Sequence, residues 1–195
     1  MSTAYLPPAE YFAKIASASE AFIEKEENYL KQTYRNRCYI LAAAGPQALT
    51  VPVYLGSFHK TPVKDIRIDY SKRWQKVHLG AITTAYGSSP YFIYYFDTIE
   101  RIIMKNHEFL LDLNMELLAS LAVMVRLDCG ISFTTAFTPV GEAENDFRYL
   151  ITPKRRSDYR TRSYTGVFTA GKIQPERISI VDLLFNCGPE TRKYL

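Results

Sequence analysis

The chain has 195 residues, of which 47% are hydrophobic and 14% aromatic, which is enough apolar material for one good core. Its net charge of +4 comes from 24 basic and 20 acidic residues. This mild excess excludes a strongly basic nucleic-acid-binding composition, so basic residues matter here only where they are locally concentrated. We expect one domain spanning residues 1–195.

The chain carries no predicted metal site, membrane span or export signal. Its three cysteines are far apart, with neither zinc-finger spacing nor a disulfide framework. No apolar run reaches the length of a membrane-spanning helix, and the first residues lack the pattern of a signal peptide. We therefore expect a cytoplasmic protein without a bound metal or cofactor.

The first half of the chain alternates between helical and strand patterns. Apolar spacing predicts a helix from Pro8 to Ala18, and alternation predicts a strand from Leu30 to Leu41. Further strands are expected in LTVPV and DIRIDY. A helical period then begins at Trp74 and ends at Gly87.

The second half is mainly helical. A long apolar pattern from Asp97 to Arg126 predicts two helices that meet near Asn106 and His107, and Gly130 follows as the expected cap. ISFTTAF and FRYLI are expected strands, and Ser179 with Asp182 predicts a capped closing helix. The predicted fold is α/β, a single-domain mixed sheet with flanking helices, with α+β as the alternative.

The stretch NYLKQTYRNRC is the first candidate site. On the predicted strand, Lys31, Arg35 and Arg37 share one face, and about 20 Å separates the outer two at 3.3 Å per residue. Arginine and lysine bind phosphate or carboxylate, and Asn36 can add a neutral hydrogen bond. The same pattern is typical of a solvated edge strand, or of cations paired with the acidic run 24–27.

His78 is the second candidate, because it lies on the apolar face of its helix, one turn after Trp74. A partly buried imidazole can act as a general acid or base. It can equally be a core histidine that is hydrogen-bonded internally.

The second basic segment is ITPKRRSDYRTRSY, from Ile151 to Tyr164, and its first basic residue is Lys154. Basic and aromatic side chains alternate there, a pattern that can bind nucleic acid but is more typical of a surface loop. No nucleic-acid-binding fold signature accompanies it, so we expect no nucleic-acid partner. Serine-hydrolase, P-loop and dinucleotide fingerprints are also missing from the sequence.

Several blocks in order resemble the WbqC-like protein family in a short bacterial form. They are YLPPAEYFAKIA, NYLKQTYRNRC, LTVPV, DIRIDYSKRWQKVH, AYGSSPYF, FLLDLN and ISIVDLLFNCGP. The resemblance covers almost the whole chain. It implies a place in bacterial surface-polysaccharide synthesis, including O-antigen, where the founding member is a proposed transferase of glycine to an amino sugar.

The family's motifs fall on individual residues of this chain. Its basic block corresponds to Lys31, Arg35, Asn36 and Arg37, its tryptophan–histidine pair to Trp74 and His78, and its tyrosine–proline pair to Tyr86 and Pro90. Two positions depart from the family pattern. Gly166 stands where relatives have a glutamine, and Gly171 with Lys172 replaces a glycine–phenylalanine pair.

The resemblance implies an aminoacyl or glycyl transferase acting on a nucleotide-linked amino sugar. Lys31, Arg35, Asn36, Arg37 and Tyr86 are the expected substrate-binding residues, for a small anionic substrate. His78 is the expected general base. A non-catalytic protein that binds a sugar nucleotide or a partner enzyme of the same pathway is the alternative, so the sequence leaves open whether the chain is an enzyme.

Overall fold

A computed structural model describes residues 1–54, 60–143, 145–168 and 177–195. These residues form a mixed α/β structure, the class predicted from the sequence. Their helices are α1 (Ala9–Ala16), α2 (Trp74–Tyr86), α3 (Phe92–Met104), α4 (Leu110–Val125) and α5 (Ile180–Cys187). Their strands are β1 (Glu20–Ile23), β2 (Arg37–Ala42), β3 (Gly45–Thr50) and β4 (Gly130–Phe133).

The four strands pair two by two. Strands β1 and β4 are parallel, with Glu20 opposite Gly130 and Ile23 opposite Phe133. Strands β2 and β3 form an antiparallel hairpin with Arg37 opposite Thr50. The predicted strands LTVPV and DIRIDY meet beyond this hairpin only as an isolated antiparallel bridge between Val53 and Ile68.

The helices follow the predicted 3.6-residue periods. Helix α2 begins at Trp74, and the long apolar pattern divides into α3 and α4 on either side of residues 105–109, as predicted. Helix α3 begins at Phe92, five residues before the predicted start at Asp97. Helix α4 ends at Val125, within one residue of the predicted end, and Arg126 closes it in the left-handed conformation with φ of 60°. The prediction that Gly130 caps this helix is wrong, since Gly130 opens β4.

The predicted strand from Leu30 to Leu41 is wrong over its first seven residues. Regular pairing starts only at Arg37, and residues 31–36 form turns. Gln32 has a left-handed φ of 57°, and the Thr33 hydroxyl donates to the Leu30 carbonyl at 2.8 Å. Such local side-chain bonding competes with a strand ladder, and the alternation of polarity alone does not reveal it.

Two further predictions need correction. FRYLI is not a strand but a turn, in which the Ile151 amide donates to the Phe147 carbonyl at 3.2 Å. Ser179 does cap α5, because its hydroxyl accepts from the Val181 amide. The expected reciprocal bond from Asp182 does not form, since the Ser179 amide donates to the Tyr39 carbonyl instead.

The core lies between the β2–β3 hairpin and the helices. Helix α5 contributes Phe185, whose ring centroid lies 5.4 Å from that of Tyr86 in α2 and 5.1 Å from that of Phe92 in α3. Tyr5 and Phe12 from the N-terminal segment and α1 are completely buried in the same core. The first and last helices are therefore held by one apolar cluster.

Gly188, directly after α5, occupies a backbone conformation that suits glycine alone. Its φ is 54° and its ψ is −128°, and a Cβ atom there would lie 2.4 Å from the Tyr91 ring. We expect Gly188→Ala to lower the free energy of unfolding by about 3 kcal/mol, from backbone strain and the clash together. Urea denaturation measures this loss.

Gly80 supplies the matched control. It lies within α2, is exposed, and a Cβ atom there would meet nothing within 4 Å. Gly80→Ala should therefore raise the free energy of unfolding by about 0.5–1 kcal/mol. If both alanine variants changed stability alike, the strain assigned to Gly188 would be wrong.

Candidate functional site

His78 is a buried, internally hydrogen-bonded residue. Its side chain is only 3% exposed, and its Nδ1 lies 2.9 Å from the Tyr5 hydroxyl. Thr50 contributes a backbone hydrogen bond, and the Trp74 ring packs edge-on at 5.2 Å between centroids. Burial lowers the pKa of His78 to about 4. The imidazole is therefore neutral at pH 7.

Tyr86 and Asn36 are also buried and hydrogen-bonded to the backbone. The Leu41 amide donates to the Tyr86 hydroxyl at 2.9 Å. The Asn36 side-chain amide donates to the Val51 carbonyl at 2.9 Å. The Tyr86 contact joins α2 to β2, and the Asn36 contact joins the two ends of the β2–β3 hairpin.

Arg35 forms a buried ion pair with Glu27. Its Nη2 and Nε lie 2.5 and 3.0 Å from the two carboxylate oxygens, and the side chains are 3% and 0% exposed. Nη2 also donates to the Ser2 hydroxyl at 2.8 Å. Arg35 therefore pairs with the acidic run 24–27, which is one of the alternatives that the sequence left open. Arg35 does not share a strand face with Lys31.

Lys31 and Arg37 remain nearer the surface. Lys31 is exposed, and the half-buried Arg37 donates from Nε to the Thr50 hydroxyl at 2.9 Å. Lys154, from the second basic segment of the sequence, donates to the Lys31 carbonyl at 3.4 Å. Arg177 donates to the Arg155 carbonyl at 3.3 Å. We call Lys31, Arg37, Lys154, Arg155 and Arg177 the basic surface.

One departure from the family pattern, Gly166, follows this second segment in sequence. Gly166 is half-buried, two positions after Tyr164, whose buried hydroxyl donates to the Asp182 carboxylate. Gly171 and Lys172 lie outside the described residues.

A cavity of about 580 Å³ lies where α1 ends, beside β1, Thr134 and residues 145–148. Glu24, Asp146 and Arg148 bring charge to its wall. Arg148 donates from Nε and Nη2 to the Asp146 carboxylate at 2.9 and 2.6 Å. Its Nη1 lies 3.5 Å from Glu24 Oε2, and neither atom has a hydrogen-bond partner among the described residues.

The charges of this wall support one another. The Arg148 guanidinium lowers the pKa of Asp146, and Asp146 in turn raises the pKa of Arg148. Glu24 uses its other oxygen, Oε1, to accept from the Glu26 amide at 2.8 Å and the Thr134 hydroxyl at 3.0 Å. These contacts hold Glu24 and Arg148 in place, and both side chains are almost completely buried.

Sequence reasoning missed this group. Thr134 lies 110 positions after Glu24, and the two meet only because β1 and β4 pair in parallel. The sequence predicts a strand around Arg148 and marks Glu24 only as an acidic neighbour of the first basic segment. No spacing within one segment could have joined them.

Comparison with known proteins identifies the family. The model of the WbqC-like protein family matches residues 3–167. The chain belongs to the WbqC-like protein family. This WbqC-like protein is also 29% identical, over an alignment of 221 positions, to Rv1507c, an uncharacterized protein of Mycobacterium tuberculosis. That alignment covers 98% of this chain and 94% of the relative. No match to a solved structure was found.

The buried pair of this WbqC-like protein can be tested by mutation. Arg35→Ala leaves the Glu27 carboxylate buried without its cation, so we expect the free energy of unfolding to fall by about 3–5 kcal/mol. The exposed Lys31→Ala should change it by less than about 0.5 kcal/mol. Urea denaturation compares the two. An Arg35→Ala protein of unchanged stability would contradict the structural role.

His78 should make stability depend on pH. Its folded-state pKa of about 4 lies below the ordinary 6.5, so unfolding takes up a proton there. The free energy of unfolding therefore keeps its full value above pH 6.5 and falls as the pH drops from 6.5 toward 4. Over that range the wild type should lose up to roughly 3 kcal/mol more than His78→Gln. Parallel stability curves for the two proteins, measured by denaturation from pH 7 to 4, would refute this.

Proposed function

We propose that this WbqC-like protein is a group transferase acting on a nucleotide-linked amino sugar in bacterial surface-polysaccharide synthesis. The group transferred is aminoacyl, with glycyl as the candidate that the family resemblance implies. A cytoplasmic location goes with this proposal. Family membership supports the pathway, and the basic surface is the observation that supports an anionic substrate.

The basic surface draws cations from separate parts of the chain. The Lys154 ammonium lies at the backbone carbonyl of Lys31, and the Arg177 guanidinium lies at the backbone carbonyl of Arg155. A diphosphate accepts charge-assisted hydrogen bonds from both ammonium and guanidinium groups. Lys31, Arg37 and Lys154 are the residues we assign to it.

The transfer itself needs an amine that has lost a proton. The amine nitrogen of the sugar attacks the acyl carbon of an activated donor, the bond to the donor's leaving group breaks, and a base accepts the amine proton. The assignment of that base to His78 stays a prediction. Tyr5 and Thr50 already bond to the imidazole, so substrate would have to displace one of them.

A non-catalytic binding protein is the second candidate, and specific contacts favour it. His78 and Tyr86 are both buried and hydrogen-bonded internally, which is typical of structural residues. Asn36 bonds to Val51 in the same way. In this case the basic surface would bind a sugar nucleotide without turnover.

Calorimetric titration with uridine-diphosphate amino sugars tests the anionic substrate. Each of Lys31→Ala and Lys154→Ala should weaken binding about tenfold, since each removes one charge-assisted contact to phosphate. Lys76→Ala, an exposed lysine on α2, is the matched control and should bind like wild type. Absence of binding, or equal loss in the control, would overturn the proposal.

A turnover assay then separates the two candidates. The protein is incubated with the bound sugar nucleotide and activated glycine, and the product is detected by the mass of the added glycyl group. Product that requires the wild-type basic surface supports the transferase. Binding without product from glycyl, alanyl or seryl donors supports the binding protein.

A further inference from the structure

Residues 152–168, all of which the structure describes, form neither helix nor strand, and we call them the strap. Tyr164 is the one buried residue of the strap, and the others are half-buried or exposed. The Arg162 amide donates to the Tyr194 carbonyl at 3.2 Å, and the Tyr164 ring packs edge-on against the Tyr194 ring. A segment with so little burial opens at a low cost in free energy, because few contacts have to break.

Tyr164 attaches the strap to a buried carboxylate. Its hydroxyl donates to Asp182 of α5, whose side chain is only 3% exposed. The Tyr86 hydroxyl bonds to the same carboxylate, and because it accepts from the Leu41 amide, its one proton is available for Asp182. Among the described residues, no basic side chain pairs with Asp182. The carboxylate therefore depends on these two hydroxyl groups to compensate for its burial.

The closed position of the strap results from opposing contributions. Removing the Asp182 carboxylate from water opposes closing, whereas the hydrogen bond from Tyr164 and the burial of its ring favour closing. When the strap opens, water can replace the Tyr164 hydroxyl at Asp182, so the carboxylate does not stay buried without a partner. A segment held in this way can open while the remainder of the fold stays intact.

The strap carries part of the basic surface. Lys154 and Arg155 belong to the strap, whereas Lys31, Arg37 and Arg177 lie outside it. In the closed position, Lys154 Nζ lies 3.4 Å from the Lys31 carbonyl oxygen, and Arg177 Nη2 lies 3.3 Å from the Arg155 carbonyl oxygen. Both contacts join the strap to the rest of the chain. Opening therefore moves Lys154 away from Lys31 and divides the basic surface.

We propose that the strap opens and closes, that the hydrogen bond between Tyr164 and Asp182 holds it closed, and that closing completes the basic surface. An anion that contacts both Lys154 and Lys31 binds the closed form and stabilises it. This regulation of the basic surface rests on the proposed function, whereas the opening of the strap itself does not.

Amide hydrogen exchange, followed by NMR on the full chain, tests the opening. The Arg162 amide reports on the strap, and the amide of the buried Leu118 in α4 reports on the core. In the wild type, the protection factor of Arg162 should be at least about tenfold lower than that of Leu118. Low concentrations of urea should leave the exchange of Arg162 almost unchanged, because opening the strap exposes little surface.

Two tyrosines of the strap form a matched pair of variants. Tyr164→Phe keeps the ring and removes the donor to Asp182, so the Arg162 amide should exchange about tenfold faster. The Tyr159 ring also packs against the core, but its hydroxyl has no hydrogen-bond partner among the described residues. Tyr159→Phe should therefore not accelerate the exchange of Arg162, since no hydrogen bond is lost.

Three results would overturn the opening of the strap. They are an Arg162 amide as protected as Leu118 in the wild type, no acceleration in Tyr164→Phe, and equal acceleration in both variants. The first of these is measured on the wild type, so it decides the proposal even if Tyr164→Phe does not fold. Far-UV circular dichroism confirms the folding of each variant.

Inorganic pyrophosphate tests the link to the basic surface, with its dissociation constant measured by calorimetry. At about ten times that constant, pyrophosphate should slow the exchange of Arg162 about tenfold, because the anion has to leave before the strap opens. Pyrophosphate that binds without slowing this exchange overturns the link. If no pyrophosphate binds, the anionic site of the proposed function fails too, whereas the tyrosine variants decide the opening of the strap by themselves.

Discussion

The buried ion pair between Glu27 and Arg35 is the constraint on which the N-terminal half depends. Burying two charges is unfavourable unless each is paired and hydrogen-bonded, and this pair meets both conditions through its bidentate geometry and Ser2. The Arg35 carbonyl also accepts from Asn114 of α4 at 2.7 Å. One residue thus ties the turn before β2 to the N-terminal segment and to a helix, and leaves Lys31 outside.

The acidic run before this turn distributes its charges among different parts of the chain. Glu24 faces Arg148, Glu26 pairs with Lys64, and Glu27 pairs with Arg35. A local cluster of like charge is thereby divided among three separate contacts, of which those to Lys64 and Arg148 join distant parts of the sequence. The Glu26 pair is partly exposed and contributes little, whereas the other two are buried and determine which segments can pack there. The cavity wall is one product of this arrangement.

The helices were predictable because their apolar period of 3.6 residues is a local property, as the start of α2 at Trp74 illustrates. The turn at residues 31–36 was not predictable, because its polar and apolar residues alternate as they do in a strand. The turn forms because Arg35 points inward to the Glu27 carboxylate. The two basic segments could be recognised separately, but the contact of Lys154 with Lys31 depends on the complete fold. The Glu24–Arg148 pair depends on it in the same way.

The parallel pairing of β1 with β4 also has a kinetic consequence. The two strands are joined by the whole of α2, α3 and α4, so their contact closes a very long loop. Contacts of such sequence separation form slowly and late in folding, after the local helices. The cavity beside β1 therefore does not exist on a nascent chain that has only its first hundred residues. It arises once the chain beyond α4 has been synthesised and has docked.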